Sequence, residues 1–239
     1  MVFESDDWGS IRTSSKKSFN NLKKKGYPVD LCPFNTYDSL ESNSDLENLF
    51  DTLYSVKGAD GSPAKFTLDT VVSNPDFSKV KDSGYREMHT ETFFQTAEKY
   101  PNHDRVEELY KEGITEGIIK PQFHGLQHIH ANNWLNALAS GETAVLDAFE
   151  EEMITVHQHN KTRCSEFYLD AWAMHTNQDI KNISEELTEG LKLFQGLFGF
   201  QSVSAIPPCF KMTEEVLAVL SENGIKHIQA ALYEHSIDD

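Results

Sequence analysis

The chain has 239 residues, which is enough for one large α/β domain with a substantial core. Acidic residues outnumber basic ones 38 to 21, so the formal net charge is -17 and the surface should repel phosphate backbones. We therefore expect no nucleic-acid partner, and no apolar stretch approaches the roughly 20 residues that span a bilayer.

Short β-rich runs alternate with longer amphipathic segments along the chain. This repeating β-then-α order predicts a parallel sheet or barrel. The strands are expected at residues 2–3, 28–33, 64–72, 117–123, 166–173, 202–206 and 225–232. The helices are expected at residues 15–25, 45–56, 134–138, 183–200 and 213–223. Turn formers collect between residues 73 and 101, where we expect a long loop or a small insertion.

The ends of the chain lie close to predicted strands. Met1 stands directly before the first strand without a signal-like apolar segment, which favours a cytoplasmic or otherwise soluble protein. The last predicted strand is followed by only a few residues, so we interpret residues 1–239 as a single domain that is truncated at its C-terminus or naturally short.

The three cysteines are an odd number and lack C-x-x-C spacing: Cys32, Cys164 and Cys209. This pattern predicts neither a disulfide framework nor a thiolate zinc site. A reducing environment is the simpler expectation.

Two groups of metal-ligand residues follow predicted strands. Asp6 and Asp7 are adjacent at the end of the first strand, and His124 and His128 follow the strand at 117–123. Adjacent residues within a strand point to opposite faces, so a purely structural pair would leave one aspartate solvated and the other capping a helix. At a strand end the backbone turns and both carboxylates can reach one cleft. Imidazole with carboxylate suits zinc and its first-row neighbours, so the four residues together predict a divalent-metal site.

The same segments carry a family resemblance. FESDDWG at residues 3–9 is similar to the first motif of polysaccharide deacetylases, T-F-D-D-G, and HGLQH at residues 124–128 resembles their second motif, H-[ST]-x-x-H. IPPCF at residues 206–210 resembles the third motif, R-x-P-[YW]-G. These proteins are metal-dependent carbohydrate esterases with a NodB-type barrel, and the three motifs occur here in the family's order through most of the chain.

The resemblance implies a distorted seven-stranded (β/α) barrel of the polysaccharide deacetylase type. Carried over by motif position, it implies that Asp6 is the catalytic general base and that Asp7, His124 and His128 ligate one divalent ion. Zinc is the expected ion, with cobalt, nickel or manganese as alternatives.

This sequence departs from the family at several positions. Gly125 replaces the hydroxyl residue of the second motif, Ile206 replaces the arginine of the third, and Cys209 replaces its aromatic residue. The late L-x-H motif, whose histidine is the family's general acid, has no clear match, so the acid is unassigned.

Five further residues have two interpretations each. His130 either extends the histidine cluster or is a surface imidazole. Asp170 either contacts substrate or forms a turn. Trp8 and Trp172 either stack on a sugar ring or belong to the core. Arg12 either holds an acidic substrate group or balances the acidic surface.

We therefore expect a metal-dependent hydrolase that cleaves a non-peptide carbon–nitrogen amide bond and removes an acetyl group from a carbohydrate. The missing arginine and acid leave open a catalytically lapsed barrel that binds glycan or acts in surface-polysaccharide assembly. A non-sugar amidohydrolase of the same fold is a further alternative. The expected partner is a carbohydrate or another small amide, and the sequence does not predict the oligomeric state.

Overall fold

The computed structural model describes residues 3–174 and 176–229. Its strands are β1 (Phe3–Trp8), β2 (Phe66–Thr70), β3 (Ser73–Pro75), β4 (Thr90–Thr92), β5 (Ile119–Phe123), β6 (Ser204–Ala205) and β7 (His227–Ile228). A five-stranded sheet has the order β1-β2-β5-β6-β7, and every pairing within it is parallel. The mixed α/β class is confirmed, and the parallel sheet is consistent with part of a distorted barrel.

Seven strands in one barrel are not confirmed for the described residues. β3 and β4 pair with each other in a separate antiparallel sheet. The last predicted strand is present only as β7, and residues 230–232 of that prediction lie outside the described residues.

Ten helices in the described part of the chain surround the sheet. They are α1 (Lys16–Lys24), α2 (Pro33–Tyr37), α3 (Asn43–Ser55), α4 (Phe77–Asp82), α5 (Phe93–Ala97), α6 (Val106–Thr115), α7 (Ala131–Ala139), α8 (Thr143–Phe149), α9 (Asn177–Phe198) and α10 (Glu214–Glu222). The five predicted helices are all present. Local signals fix their ends: Thr213 caps α10 by accepting a hydrogen bond from the Val216 N–H, and Ser42 and Asp45 form a capping box on α3.

Two predicted strands are wrong. Residues 28–33 form a 3-10 turn (Val29–Leu31) and the start of α2, because Pro33 stands at the first helical position and cannot donate to a strand ladder. Residues 166–173 belong to a 3-10 turn (Cys164–Phe167) and a loop that reverses at Tyr168, whose φ is +60°. A short apolar run is compatible with either a strand or a buried loop. The expected loop at 73–101 contains the β3–β4 pair, α4 and α5.

The main core lies between the sheet and its helices. Phe123 of β5 packs against Phe194 of α9, which contacts Phe198 on the same helix, and Leu46 and Phe50 of α3 belong to the same buried cluster. This layer holds the strand ends in fixed positions. Among the described residues, no helix combines the length and the apolar character that a membrane crossing requires.

The cysteine prediction is wrong. Cys164 and Cys209 form a disulfide across a sequence separation of 45, while Cys32 is free. The bond joins the 3-10 turn Cys164–Phe167 to the 3-10 turn Pro208–Phe210, and such a pairing depends on spatial proximity that cysteine spacing does not reveal.

Candidate metal site and cleft

A β-bulge brings the two aspartates of β1 to one side. Ser5 pairs with Leu68 and Trp8 pairs with Thr70, so Asp6 and Asp7 together lie opposite the single residue Asp69. Asp7 has a φ of +66°, in the left-handed region. The extra residue breaks the alternation of side chains along the strand, and both aspartates line the same cleft. The structure thus satisfies the geometric condition that the adjacent pair required.

The histidines reach the same point from β5. The His124 N–H donates to the Thr70 carbonyl, and the next residue, Gly125, has a φ of +119°. A serine or threonine would be strained there, which accounts physically for the glycine at this motif position. His124 and His128 both place Nε2 near Asp7 Oδ1, at 3.3 and 3.2 Å.

The three side chains form a donor set that fits a divalent cation. One ligand atom from each of Asp7, His124 and His128 lies within 4.8 Å of the other two. Asp7 Oδ1 and His124 Nε2 are buried and lack a hydrogen-bond partner of standard geometry in the described part of the chain. A buried polar atom without a partner is costly, and one ion would satisfy both. Two imidazoles and one carboxylate leave an open position on zinc.

His124 has a fixed orientation. Its Nδ1 lies 2.8 Å from the Ile206 carbonyl oxygen, so Nδ1–H donates there and Nε2 carries the lone pair toward Asp7. A ligating histidine commonly makes such a bond with its second nitrogen. The backbone of Ile206 therefore contributes to the site although its side chain cannot replace an arginine.

The surroundings of Asp7 and His128 favour the protonation states in which these side chains can bind a cation. Burial raises the pKa of Asp7, but the Arg12 guanidinium and the two histidines outweigh it and hold this pKa well below its usual range. Burial lowers the pKa of His128 to about 3, and Arg12 acts in the same direction. Asp7 is thus a carboxylate and His128 a neutral imidazole near pH 7, as metal ligands must be.

Arg12 is a site residue whose place the sequence did not reveal. Its Nη2 donates to Asp7 Oδ2 at 2.9 Å, and only 11% of its side chain is exposed. The interpretation of Arg12 as a balance for the acidic surface is wrong. Because Arg12 holds Oδ2 while Oδ1 faces the histidines, it fixes the orientation of the carboxylate.

Two buried side chains from distant segments hold the loop after β1. Asn74 donates from Nδ2 to the Gly9 carbonyl at 2.8 Å and accepts from the Ile11 N–H at 2.9 Å. Glu41 accepts from the Gly9 N–H at 3.0 Å and from the Tyr110 hydroxyl at 2.6 Å. These bonds preorganise the segment that carries Asp7.

Asp69 is a further buried carboxyl group beside the bulge. It is 1% exposed, and neither oxygen has a hydrogen-bond partner of standard geometry in the described part of the chain. Burial raises the pKa of Asp69 to about 7, while His124 opposes the rise and the acidic residues Glu4 and Asp6 add to it. The sequence signal that could have identified Asp69 was an acidic residue inside the largely apolar run 68–72.

The other candidate residues lie outside the triad. His130 is buried, with Nε2 3.1 Å from the Ala173 carbonyl oxygen, so the surface interpretation is wrong. Asp170 is buried in a loop rather than at a strand end. Trp172 stacks on Phe123 in the core, and Trp8 packs against Phe66.

Asp7 and His128 of the triad line a cleft of about 780 Å³, while His124 is buried and does not line it. Asp6, Asp7, Arg12 and His128 lie at its polar end. Asp6 is exposed there, next to the proposed ligands, so a substrate could reach it.

The chain matches no profile of a known protein family and no curated protein. Among solved structures it is similar to a 4-alpha-glucanotransferase from Thermococcus litoralis, with 8% identity and a TM-score of 0.42 over 95% of this chain and 21% of that chain. It is similar to a polysaccharide deacetylase from Bacillus cereus, with 12% identity and a TM-score of 0.39 over 95% of this chain and 55% of that chain.

A de-N-acetylase from Aggregatibacter actinomycetemcomitans gives 13% identity and a TM-score of 0.40, covering 100% of this chain and 90% of that chain. The chain spans about a fifth of the length of the glucanotransferase and about half the length of the B. cereus protein.

Proposed function

We propose that the protein is a metal-dependent hydrolase that removes an acetyl group from an N-acetylated sugar. The observation that carries this proposal is the convergence of Asp7, His124 and His128, of which Asp7 and His128 line the polar end of a large cleft. The similarity of residues 3–9 and 124–128 to two deacetylase motifs supports the choice of reaction.

The side chains have complementary roles in the proposed reaction. Asp7, His124 and His128 would hold the ion, and Arg12 keeps the Asp7 carboxylate in place. A bound divalent ion supplies a more acidic water and polarises the amide carbonyl. Asp6 is exposed in the cleft beside the ligands and accepts the proton of the attacking water as general base.

Metal binding is tested with chelator-treated protein and zinc, by calorimetry and elemental analysis. Wild type should bind about one ion per chain, and His124→Ala with His128→Ala should weaken binding by more than about 100-fold. The matched control replaces His89 and His227, two histidines outside the triad, by alanine. An unchanged zinc affinity in the variant that lacks both triad histidines would contradict the site assignment.

Activity is tested by acetate release from short N-acetylglucosamine oligomers. Asp6→Asn should retain zinc and lose on the order of 10²–10⁴ in kcat, because the general base is removed. Glu4→Gln removes a neighbouring carboxylate from the same strand and serves as the control. Full activity in Asp6→Asn would reject the assigned role.

A second candidate function is a lapsed barrel that binds glycan without hydrolysis. It is favoured by Ile206, which contributes only a backbone carbonyl where the family motif has an arginine. The general acid is also unassigned, because the sequence has no clear match to the L-x-H motif. Zinc binding and glycan binding without acetate release under any divalent metal would support this alternative.

A further inference from the structure

The cleft beyond the triad has an apolar wall. Its main apolar lining residues are Leu31, Phe34, Ile154, Phe167, Leu169 and Phe210. They come from three separate segments: the 29–37 region, the loop around the 3-10 turn Cys164–Phe167, and the 3-10 turn Pro208–Phe210. Several segments thus present apolar side chains to one space.

Three of these side chains remain substantially exposed. The exposed fraction is 66% for Leu31, 58% for Phe34 and 48% for Phe210. Their location in a single cleft distinguishes them from isolated surface apolar residues, which need no explanation. Clustered exposed apolar side chains indicate a surface that is covered when a ligand binds.

The wall is held rigidly. The Asn35 carbonyl accepts from the Thr13 hydroxyl at 2.8 Å, and Asn35 Oδ1 accepts from the His157 N–H at 3.0 Å. The first bond links the 29–37 segment to the segment after β1, and the second links it to the loop between α8 and α9. The Cys164–Cys209 disulfide links that loop to the third wall. The cleft is therefore largely preformed.

Phe210 has a backbone conformation that disfavours its own side chain. Its φ is +55°, in the left-handed region where a bulky residue is an outlier. In the R-x-P-[YW]-G motif this position is glycine, which adopts such a φ without strain. A phenylalanine here costs stability, and strain of this kind is found where a side chain serves a ligand site.

Charge in the cleft does not favour an anionic group on the substrate. Arg12 is the one cationic side chain among the described residues that line the cleft, and its guanidinium is already paired with Asp7. Asp6 adds an exposed carboxylate at the same end. The apolar wall therefore recognises uncharged apolar surface.

We infer that the cleft selects an amphiphilic substrate: an N-acylated amino sugar that carries a hydrocarbon group, packed against Phe34 and Phe210. This inference rests on the proposed function for the position of the amide, which the metal-ligand end holds. The hydrocarbon belongs either to the acyl chain or to the aglycone, and both place the same chemistry on the wall.

The first experiment compares four probes: the methyl and hexyl β-glycosides of glucosamine, each with an N-acetyl or an N-hexanoyl group. Calorimetry with wild type should give a Kd lower by on the order of tenfold or more for at least one probe with a six-carbon chain, either hexyl or hexanoyl, than for the methyl N-acetyl probe. A gain for the hexyl glycosides identifies the aglycone, and a gain for the N-hexanoyl compounds identifies the acyl chain. Equal affinity for all four would overturn the inference.

Binding does not require turnover, so the two proposals fail separately. Metal-dependent acetate release with no preference for a six-carbon chain would reject the amphiphilic substrate and retain the hydrolase. A binding preference for a six-carbon chain with no acyl release under any divalent metal would retain the cleft assignment and reject the hydrolase.

The second experiment separates ligand contact from a structural role for Phe210. Phe210→Gly removes both the ring and the strain, and Phe210→Ala removes the ring alone. Both should raise the Kd for the preferred probe with a six-carbon chain on the order of fivefold to tenfold. Phe210→Gly should unfold at a urea concentration equal to or above that of wild type.

The control for this experiment is Leu217→Ala, which truncates an exposed leucine on α10 outside the cleft. It should leave the Kd for the preferred probe unchanged. Loss of stability in Phe210→Gly together with an unchanged probe affinity would show that Phe210 is a packing residue and would overturn the inference.

Discussion

Asp69 offers a direct test of the electrostatics beside the bulge. In the unfolded chain this carboxyl group has an ordinary pKa of 3.8, and in the folded protein burial raises the pKa to about 7. At about 1.4 kcal/mol per pKa unit, this difference in pKa corresponds to a loss of folding stability of at most about 4 kcal/mol once the carboxyl group is ionised. Relaxation and water access reduce such values, so we expect about 2 kcal/mol.

The sign follows from the raised pKa. Below about pH 4 Asp69 is protonated in both states and causes no penalty. As the pH rises from about 4 through 7, the unfolded chain releases its proton more easily than the folded chain, so folding stability is lost. Asp69→Asn removes this loss and should be more stable than wild type by about 2 kcal/mol at pH 8.

The assay is urea denaturation at a series of pH values, with both proteins kept metal-free by a chelator. The difference in unfolding free energy between Asp69→Asn and wild type should grow between about pH 4 and 8. Asp51→Asn removes a carboxylate from an exposed position on α3 and controls for the loss of one negative charge. A difference that is independent of pH, or that shrinks as the pH rises, would refute the assignment.

Three further variants test individual features of the fold. Gly125→Ala adds a Cβ at a φ of +119° and should lower the unfolding free energy by about 1–3 kcal/mol and weaken zinc binding; wild-type values for both would contradict the backbone constraint. Asn74→Ala removes two buried hydrogen bonds to the loop after β1 and should cost about 2–4 kcal/mol in urea titration; a cost near zero would contradict its role. Replacing Cys164 and Cys209 by serine removes a cross-link between residues 45 positions apart and should lower the unfolding free energy by about 4 kcal/mol, because the unfolded chain gains loop entropy. If reductant leaves the unfolding midpoint of the wild-type protein unchanged, the disulfide is disproved.

Local patterns predicted the elements whose signals lie within one segment. The end of α10 at Glu222 and the apolar stripe of α3 follow from capping and spacing alone. The convergence of Asp7 with His124 and His128 could be expected as well, because parallel strands bring their carboxyl ends to one edge. The catalytic and ligand roles of these residues stay predictions.

The features that sequence reasoning missed depend on contacts between distant segments. Glu41 lies 32 positions from Gly9 in sequence, and Asn74 lies 65 positions from it. No local pattern marks such partners. The 28–33 and 166–173 segments were misassigned because their apolar side chains line a cleft or pack in a loop, which short apolar runs do not distinguish from a strand.

The bulge in β1 also determines what kind of change the site tolerates. Deleting one residue between Ser5 and Trp8 would remove Asp6 or Asp7 and leave a single residue opposite Asp69, which would restore a regular ladder with β2. The deletion variant could keep its hydrophobic core and still lose one of the two acids from the cleft. The site is therefore encoded by the number of residues in this segment as much as by their identity, so an insertion or deletion there would alter it more than many substitutions.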